Sequence, residues 1–176
     1  MPQRTKCLLV GLLFASASFA QKYTAQGELI SPPDYREWVY LSTGIGMDYS
    51  KEPSAHPVFD NVFVNPAAYK AFMKTGSWPD KTMLVKENRA SDADPLSNGG
   101  KVQTKVVSHE IHVKDASHGG WVFYVFRPGV ENAKPFEKQQ ICTDCHGKNG
   151  AVETTFVQYY PTLIETAKQH GTFHDK

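Results

Sequence analysis

Two cysteines and a histidine stand within five residues in the segment "CTDCH". Cys142, Cys145 and His146 have the Cys-x-x-Cys-His spacing that is typical of a covalently attached c-type haem. In such a site the two thiols form thioethers with the porphyrin, and the histidine ligates the iron from one side. The segment therefore predicts one haem c, bound through Cys142 and Cys145, with His146 as the iron ligand.

The same cysteines leave two other interpretations open, a redox dithiol and part of a zinc site. A thioredoxin-like dithiol belongs to a βαβ unit, but only 30 residues follow His146. A zinc site needs further ligands at a matching spacing, and the remaining cysteine, Cys7, lies in an apolar N-terminal segment. These features favour the haem interpretation.

The histidines outside this motif form one cluster, "HEIH", from His109 to His112. Its spacing differs from the His-Glu-x-x-His of metalloproteases. Residues three apart on a strand point to opposite faces, so His109 and His112 are not expected to bind one metal. We interpret them as polar residues of a partly exposed strand.

The second axial position of the iron has no obvious ligand. Small electron-carrier cytochromes supply a methionine for it, but no methionine follows His146. An open position suits catalysis or gas binding better than electron relay. A simple electron-transfer cytochrome remains an alternative.

Residues 1–20 predict a secretory signal peptide. Arg4 and Lys6 precede an apolar run that ends in small residues near Ala20, a pattern of a cleaved signal rather than of a membrane span. No later segment is apolar enough to span a membrane. We therefore expect an exported protein, most simply in a bacterial periplasm, with one domain over residues 21–176.

The charge of the chain is nearly balanced, with 19 Lys and Arg residues against 18 Asp and Glu residues. Loss of Arg4 and Lys6 with the signal peptide keeps the net charge near zero. A nucleic-acid or anionic-membrane partner would need a basic surface. No such partner is expected.

Segments rich in β-branched and aromatic residues, separated by loop signals, predict a series of strands in the middle of the chain. The segments are "VYLST", "VFDNVFV", "KTMLVKENRA", "KVQTKVVSHEIHV" and "GWVFYVF". From Glu131 onward the pattern is helical or irregular, and it ends in a predicted helix at "PTLIETAKQ". The predicted fold class is α+β, mainly an antiparallel sheet of about five strands with a few helices and the haem motif in the C-terminal helical segment.

Two local patterns make specific predictions. In "NPAAYKAFMKTG", Asn65 suits an N-cap, Pro66 the first helical position and Gly76 the C-terminal end, so a helix is expected between them. In the strand "KTMLVKENRA", Leu84 and Lys86 should share one face of the sheet.

The chain resembles the cytochrome P-460 family. The likeness covers nearly all of the mature sequence, in "YREWV", "VFVNPAAYKAFMKTGSWPDKTMLVKE", "GWVFYVF", "CTDCHGKNG" and "FVQYYPTL". Cys-x-x-Cys-His alone is common among cytochromes, and the long middle segment in register with it makes the match specific. The resemblance implies a mostly antiparallel β fold, often a homodimer, with one five-coordinate c-type haem ligated by His146.

The resemblance also implies oxidation of hydroxylamine, to nitrous oxide or nitrite, with electrons passed to an external acceptor such as a c-type cytochrome. In the family's enzymes a lysine of the strand matching "TMLVKE" is joined to the porphyrin, and that position is Lys86. A carboxylate near the open face of the iron would accept the released protons. Glu137, five residues before Cys142, is the first candidate, and Glu110 is the second.

Other relatives are similar to cytochrome c′-beta. They lack the lysine bond, line the open face with phenylalanine, and bind nitric oxide without oxidising hydroxylamine. The candidates here for a phenylalanine wall are Phe59, Phe63, Phe72 and Phe123. A nitric oxide binding or scavenging cytochrome is therefore the alternative function.

Overall fold

The structure is a computed structural model that describes residues 21–47, 52, 54–93, 96 and 99–176. The predicted signal peptide, residues 1–20, lies outside the described residues. Within the described ranges, no helix combines the length and the apolar character needed to cross a membrane.

The described chain contains seven strands and three α-helices. The strands are β1 (Leu29–Ile30), β2 (Val39–Ile45), β3 (Val58–Val64), β4 (Met83–Ala93), β5 (Lys101–Asp115), β6 (Gly120–Phe126) and β7 (Asn132–Ala133). The α-helices are α1 (Pro66–Thr75), α2 (Gln139–Asn149) and α3 (Pro161–Gln169).

The main sheet has five antiparallel strands in the order β2-β3-β4-β5-β6, which is also their order along the chain. Strands β1 and β7 form a separate antiparallel pair. The predicted α+β class with a five-stranded antiparallel sheet is confirmed. Each strand pairs with the next one in sequence, so the series of strand-like segments along the chain was sufficient to identify the sheet.

Helix α1 forms where the sequence predicts it, but Asn65 acts differently from a side-chain cap. Gly76 ends the helix in the left-handed conformation, with φ at 68°, and its N–H donates to the Phe72 carbonyl at 2.8 Å. Asn65 occupies the N-cap position, yet its Oδ1 accepts from the backbone N–H of Met83 at 2.8 Å. The asparagine therefore fastens the start of α1 to the start of β4.

The main sheet buries both of its faces. One face packs against α1 and α3 in a first core cluster, and the other covers a second core cluster beneath β1. The first cluster comprises Leu41, Val64, Ala68, Phe72, Trp78, Leu84, Val152, Val157, Tyr160, Leu163 and Ala167. The second comprises Leu29, Tyr35, Trp38, Met83, Val85, Ile111, Val113, Val122, Tyr124 and Phe126.

A buried carboxylate, Glu87, lies on the second face beside the second core cluster. It accepts hydrogen bonds from Tyr35, Arg36 and Arg89, while Tyr35 Oη also lies 2.8 Å from Nε2 of His109. Burial alone would raise the pKa of Glu87, but the hydrogen bonds from Arg89 and Tyr35 and the two guanidinium charges outweigh it and lower the pKa to about 2. Glu87 is therefore ionised and fully paired.

Candidate haem-binding site

A cavity of about 560 Å³ lies between the first face of the sheet and helix α2. This volume falls within the range that is typical of cofactor sites. Its lining residues are Ser42, Thr43, Gly44, Met47, Asp60, Val62, Leu84, Lys86, Glu110, His112, Phe123, Ile141, Cys142, Cys145, His146, Phe156, Tyr159 and Tyr160. The cavity thus brings together the motif cysteines, the motif histidine and the strand lysine. Leu84 and Lys86 share this face, as predicted.

Cross-strand pairing arranges the sheet side of the cavity in rows. The first row is Val64, Leu84, His112 and Phe123. The second row is Val62, Lys86, Glu110 and Val125. The third row is Asp60, Asn88 and Ser108. Because two residues along a strand advance about 7 Å, successive rows are separated by about that distance.

Helix α2 is held against the edge strand β6 by the side chain of Gln139. Its Oε1 accepts from the Phe123 N–H at 3.0 Å, and its Nε2 donates to the Phe123 carbonyl at 2.7 Å. The amide therefore pairs with the backbone of Phe123 as a neighbouring strand would. The backbone N–H of Phe136 also donates to that carbonyl, at 2.7 Å. These bonds fix the first turn of the helix that carries both cysteines and His146.

The ring of His146 is oriented by one hydrogen bond and three aromatic contacts. Nδ1–H donates to the carbonyl of Thr154 at 2.9 Å, which leaves Nε2 for a metal ion. The rings of His112, Phe123 and Phe156 surround it, with centroids 4.9, 5.0 and 4.5 Å away. A histidine ligand is usually held in this way, through its second nitrogen to a carbonyl or carboxylate.

The Thr154 carbonyl belongs to a tight turn whose conformation is constrained. Glu153 and Thr154 have positive φ angles of 45° and 64°, which are uncommon for residues other than glycine. A Cβ at Gly150 would lie 2.4 Å from the carbonyl carbon of Thr154, so this close approach requires glycine. The turn is fixed from outside by hydrogen bonds from Lys114 Nζ to the Glu153 carboxylate and from Trp121 Nε1 to the Glu153 carbonyl, both 2.9 Å.

The protonation state of His146 suits a metal ligand. Burial lowers the pKa of His146, and the Thr154 carbonyl offsets this only in part, so the imidazole is neutral and can ligate iron. Burial also raises the pKa of the Cys142 thiol. Cys142 and Cys145 are both free and half-buried.

Lys86 and Glu110 form an ion pair inside the cavity. Nζ of Lys86 lies 3.0 Å from Oε2 of Glu110. The other carboxylate oxygen of Glu110 accepts from Nδ2 of Asn88, also at 3.0 Å. Both side chains of the ion pair are about one-third exposed, through the cavity that they line.

Glu137 lies outside the cavity. It is exposed in the turn before α2, and it is not among the residues that line the cavity. Counting back from Cys142 could not reveal that the chain passes outside the cavity at this point, where the Phe136 N–H bonds to β6. Of the two carboxylates that the sequence suggested, the structure brings only Glu110 to the motif.

Of the four phenylalanines that the sequence suggested for the wall of the site, one lines the cavity. Phe123 lines the cavity, but it belongs to the row that contacts His146. Phe63 packs against the second core cluster, and Phe72 lies within the first one. Phe59 does not line the cavity either. The row that carries Lys86 and Glu110 contains no phenylalanine.

Sequence reasoning missed the roles of two further residues, His112 and Asp60. His112 and His109 point to opposite faces, as predicted, but His112 contacts the ring of His146 instead of solvent. Burial keeps the pKa of His112 well below its ordinary value. Asp60 lines the cavity with its side chain almost fully buried. Its signal in the sequence is a carboxylate within the mainly apolar strand segment "VFDNVFV".

These residues fit a haem group. Two free thiols and one neutral imidazole with an available nitrogen converge on one cavity, and apolar side chains including Val62, Leu84 and Phe156 line much of its wall. Among the residues that the structure describes, no group of three or more potential ligands could hold a bare metal ion. A histidine beside a large, mostly apolar cavity suits a macrocyclic metal cofactor.

The fold and this site define a haem-binding protein of the cytochrome class. The sequence model of the family described as Cytochrome P460 matches residues 32–157. Since that span covers most of the chain, the chain belongs to the cytochrome P460 family. No curated protein sequence gives a significant match.

Proposed function

We propose that this protein is a periplasmic mono-haem c-type cytochrome that oxidises hydroxylamine and passes the electrons to an external acceptor, such as another c-type cytochrome. We also propose that it is exported by its N-terminal signal peptide and acts as a homodimer. The product would be nitrous oxide or nitrite.

One observation carries this proposal: a lysine and a carboxylate, paired at 3.0 Å, line the same cavity as the haem motif. His146 contacts the first row of the sheet, through His112 and Phe123. Lys86 and Glu110 belong to the second row. A haem ligated by His146 would fill this cavity, so Lys86 and Glu110 would line its binding pocket.

Bound haem would supply an iron that takes up the nitrogen of hydroxylamine and a route for electrons to leave. The side chains of the protein would anchor the haem, ligate the iron and accept protons. Cys142 and Cys145 would anchor the porphyrin, and His146 would ligate the iron. Oxidation of an N–H compound releases protons, and a carboxylate within reach accelerates their removal. We assign that role to Glu110, because Glu137 does not line the cavity.

Lys86 is proposed to be the residue joined to the porphyrin. Its side chain extends into the cavity and is held there by Glu110. A lysine that served only solubility would extend its charged end into bulk water. A bond through its nitrogen would distort the macrocycle and change its electronic properties, which is one of the ways a protein tunes haem chemistry.

Nitric oxide binding without oxidation is the alternative. It is favoured by the apolar part of the lining, including Met47, Val62 and Leu84, which would suit an uncharged diatomic ligand. The polar second row argues for oxidation, because a site that only binds nitric oxide needs no proton acceptor.

The test is hydroxylamine oxidation by the purified haem-loaded protein with a soluble one-electron acceptor. The proposal predicts acceptor reduction that depends on both hydroxylamine and protein, and uptake of nitric oxide by the ferrous haem. Nitric oxide uptake with no hydroxylamine-dependent reduction of the acceptor would favour the alternative. Failure of the ferrous haem to bind nitric oxide or carbon monoxide would exclude both proposed functions and indicate a six-coordinate electron carrier.

A further inference from the structure

Asp60 is a buried carboxylate without a hydrogen-bond partner among the described residues. Its exposed fraction is 6%, and it lines the cavity from the third row of the sheet. A buried carboxylate normally has donors that compensate its lost hydration. Asp60 forms neither an ion pair nor a hydrogen bond with the described part of the chain. It is therefore directed at the space that a cofactor and its ligands would occupy.

The neighbouring strand offers Asp60 a matching group. Asn88 is the direct cross-strand partner of Asp60, and such partners on one face have Cβ atoms about 5 Å apart. Oδ1 of Asn88 is buried and accepts no hydrogen bond from the part of the chain that the structure describes. Its Nδ2 donates to Ser108 Oγ at 2.8 Å and to Glu110 Oε1 at 3.0 Å. Asn88 is thus an acceptor without a donor, beside a carboxyl group that has no partner.

If Asp60 were protonated, it could donate a hydrogen bond to Oδ1 of Asn88, because a neutral carboxyl group is a donor as well as an acceptor. Asp60 and Asn88 would then each have a partner. Burial raises the pKa of Asp60, the Lys86 charge opposes this and the Glu110 charge supports it, and the result is a pKa of about 6. The titratable and charged side chains that share this cavity are Lys86 on β4, Glu110 and His112 on β5, Cys142, Cys145 and His146 on α2, and Tyr159 and Tyr160 after it.

We propose that Asp60 is a second proton-holding group of the cavity, linked to Glu110 through the side chain of Asn88. This inference rests on the proposed oxidation of hydroxylamine for its role in turnover. When a proton is removed from the substrate, an N–H bond breaks and an O–H bond forms on the carboxylate. The electron pair remains on nitrogen until the electrons leave to the external acceptor. Two carboxyl groups linked in this way can accept more than one proton before either is released to solvent.

The first test is infrared spectroscopy of the haem-loaded protein across pH 4 to 8. A protonated carboxyl band is expected that disappears with a midpoint near 6, and Asp60→Asn should remove it. Asp92→Asn is the matched control, since Asp92 is exposed at the end of β4. The proposal is overturned if no carboxyl band titrates in this range, or if the band persists in Asp60→Asn.

A second variant covers the case in which Asp60→Asn fails to fold or to load haem. Asn88→Leu removes the amide that would accept from protonated Asp60, so the carboxyl band should shift to higher frequency and its midpoint should change by several tenths of a pH unit or more. An unchanged band and midpoint would contradict the link through Asn88.

Turnover gives a separate readout. In the wild-type protein the hydroxylamine oxidation rate should rise as Asp60 ionises, and Asp60→Asn should lower the rate several-fold and remove this rise. A rate and pH profile identical to those of the wild type would overturn the role in turnover. If the wild-type protein oxidises no hydroxylamine, the proposed function fails, while the infrared titration still tests whether Asp60 holds a proton.

Discussion

Nζ of Lys86 lies 3.0 Å from Oε2 of Glu110, and the two residues are direct cross-strand partners on β4 and β5. Their ion pair faces the cavity that Cys142, Cys145 and His146 also line. Sheet register places the two residues side by side on the same face, and the ion pair holds both side chains in the cavity. The chemistry of the site therefore depends on two adjacent strands as much as on the haem motif.

The first prediction concerns Glu110. Glu110→Gln should lower kcat for hydroxylamine oxidation by roughly 10²-fold or more, because the proton acceptor is lost, while nitric oxide affinity changes little. Glu137→Gln is the control, since Glu137 is an exposed carboxylate outside the cavity. Steady-state kinetics and nitric oxide titration measure the two effects. Equal activity of both variants would remove Glu110 from the mechanism.

The second prediction concerns the turn that holds His146. Gly150→Ala places a methyl group 2.4 Å from the Thr154 carbonyl carbon and 2.8 Å from the His146 carbonyl oxygen. The turn must move, so the variant should be less stable by about 1–3 kcal/mol, with a shifted haem reduction potential. Chemical denaturation and a redox titration would measure these changes.

The control for this substitution is Gly147→Ala, in helix α2 three residues before Gly150. A Cβ at Gly147 meets nothing within 4 Å, so alanine should leave the potential unchanged and should not reduce stability, since alanine is favoured over glycine in a helix. A comparable loss in both variants would show that the close approach at Gly150 is not the cause.

The third prediction concerns Gln139. Gln139→Ala removes both hydrogen bonds to the backbone of Phe123, each worth about 1 kcal/mol, and should lower haem incorporation during maturation. Gln140→Ala is the control, because Gln140 is exposed and its side-chain amide donates to Asp144 in its own helix. The haem content of the two purified variants tests this prediction. Full loading of the Gln139 variant would contradict the proposed anchoring of α2.

The fourth prediction is a pH dependence of stability from Glu87. Its pKa is lowered from 4.5 to about 2 in the folded protein. Such a group stabilises the fold above its unfolded pKa, and that contribution is lost as the pH falls from about 4.5 to about 2. Glu87→Gln should therefore cost about 3 kcal/mol at pH 7. The cost should shrink in acid unfolding experiments below pH 4, and a cost independent of pH would refute this account.

The sheet could be predicted from sequence because its information is local. The strand segments containing Val85 and Ile111 are rich in β-branched and other apolar residues, and each pairs with its neighbour along the chain. The start and end of α1 followed from Pro66 and Gly76 in the same way. The hydrogen bond between Asn65 and Met83 could not be predicted, because a side chain that bonds to another element leaves no local sequence pattern.

The positions of the carboxylates in the site also could not be predicted from local sequence. Glu110 reaches the cavity through the register of β4 and β5, which has no relation to its distance in sequence from Cys142. Asp60 carried a weak local signal, as an acid among the valines of one strand face, but its place in the cavity follows from the packing of α2 over the sheet, which is not local information. His112 could not be identified as a neighbour of His146 before α2 was placed.

The most direct measurement of the central claim is proteolysis of the matured haem-loaded protein, followed by mass spectrometry of the haem-bearing peptides. The account predicts one haem joined to the peptide of Cys142 and Cys145 and also to the peptide that contains Lys86. Recovery of the Lys86 peptide free and unmodified from fully loaded protein would contradict the proposed enzyme and favour nitric oxide binding.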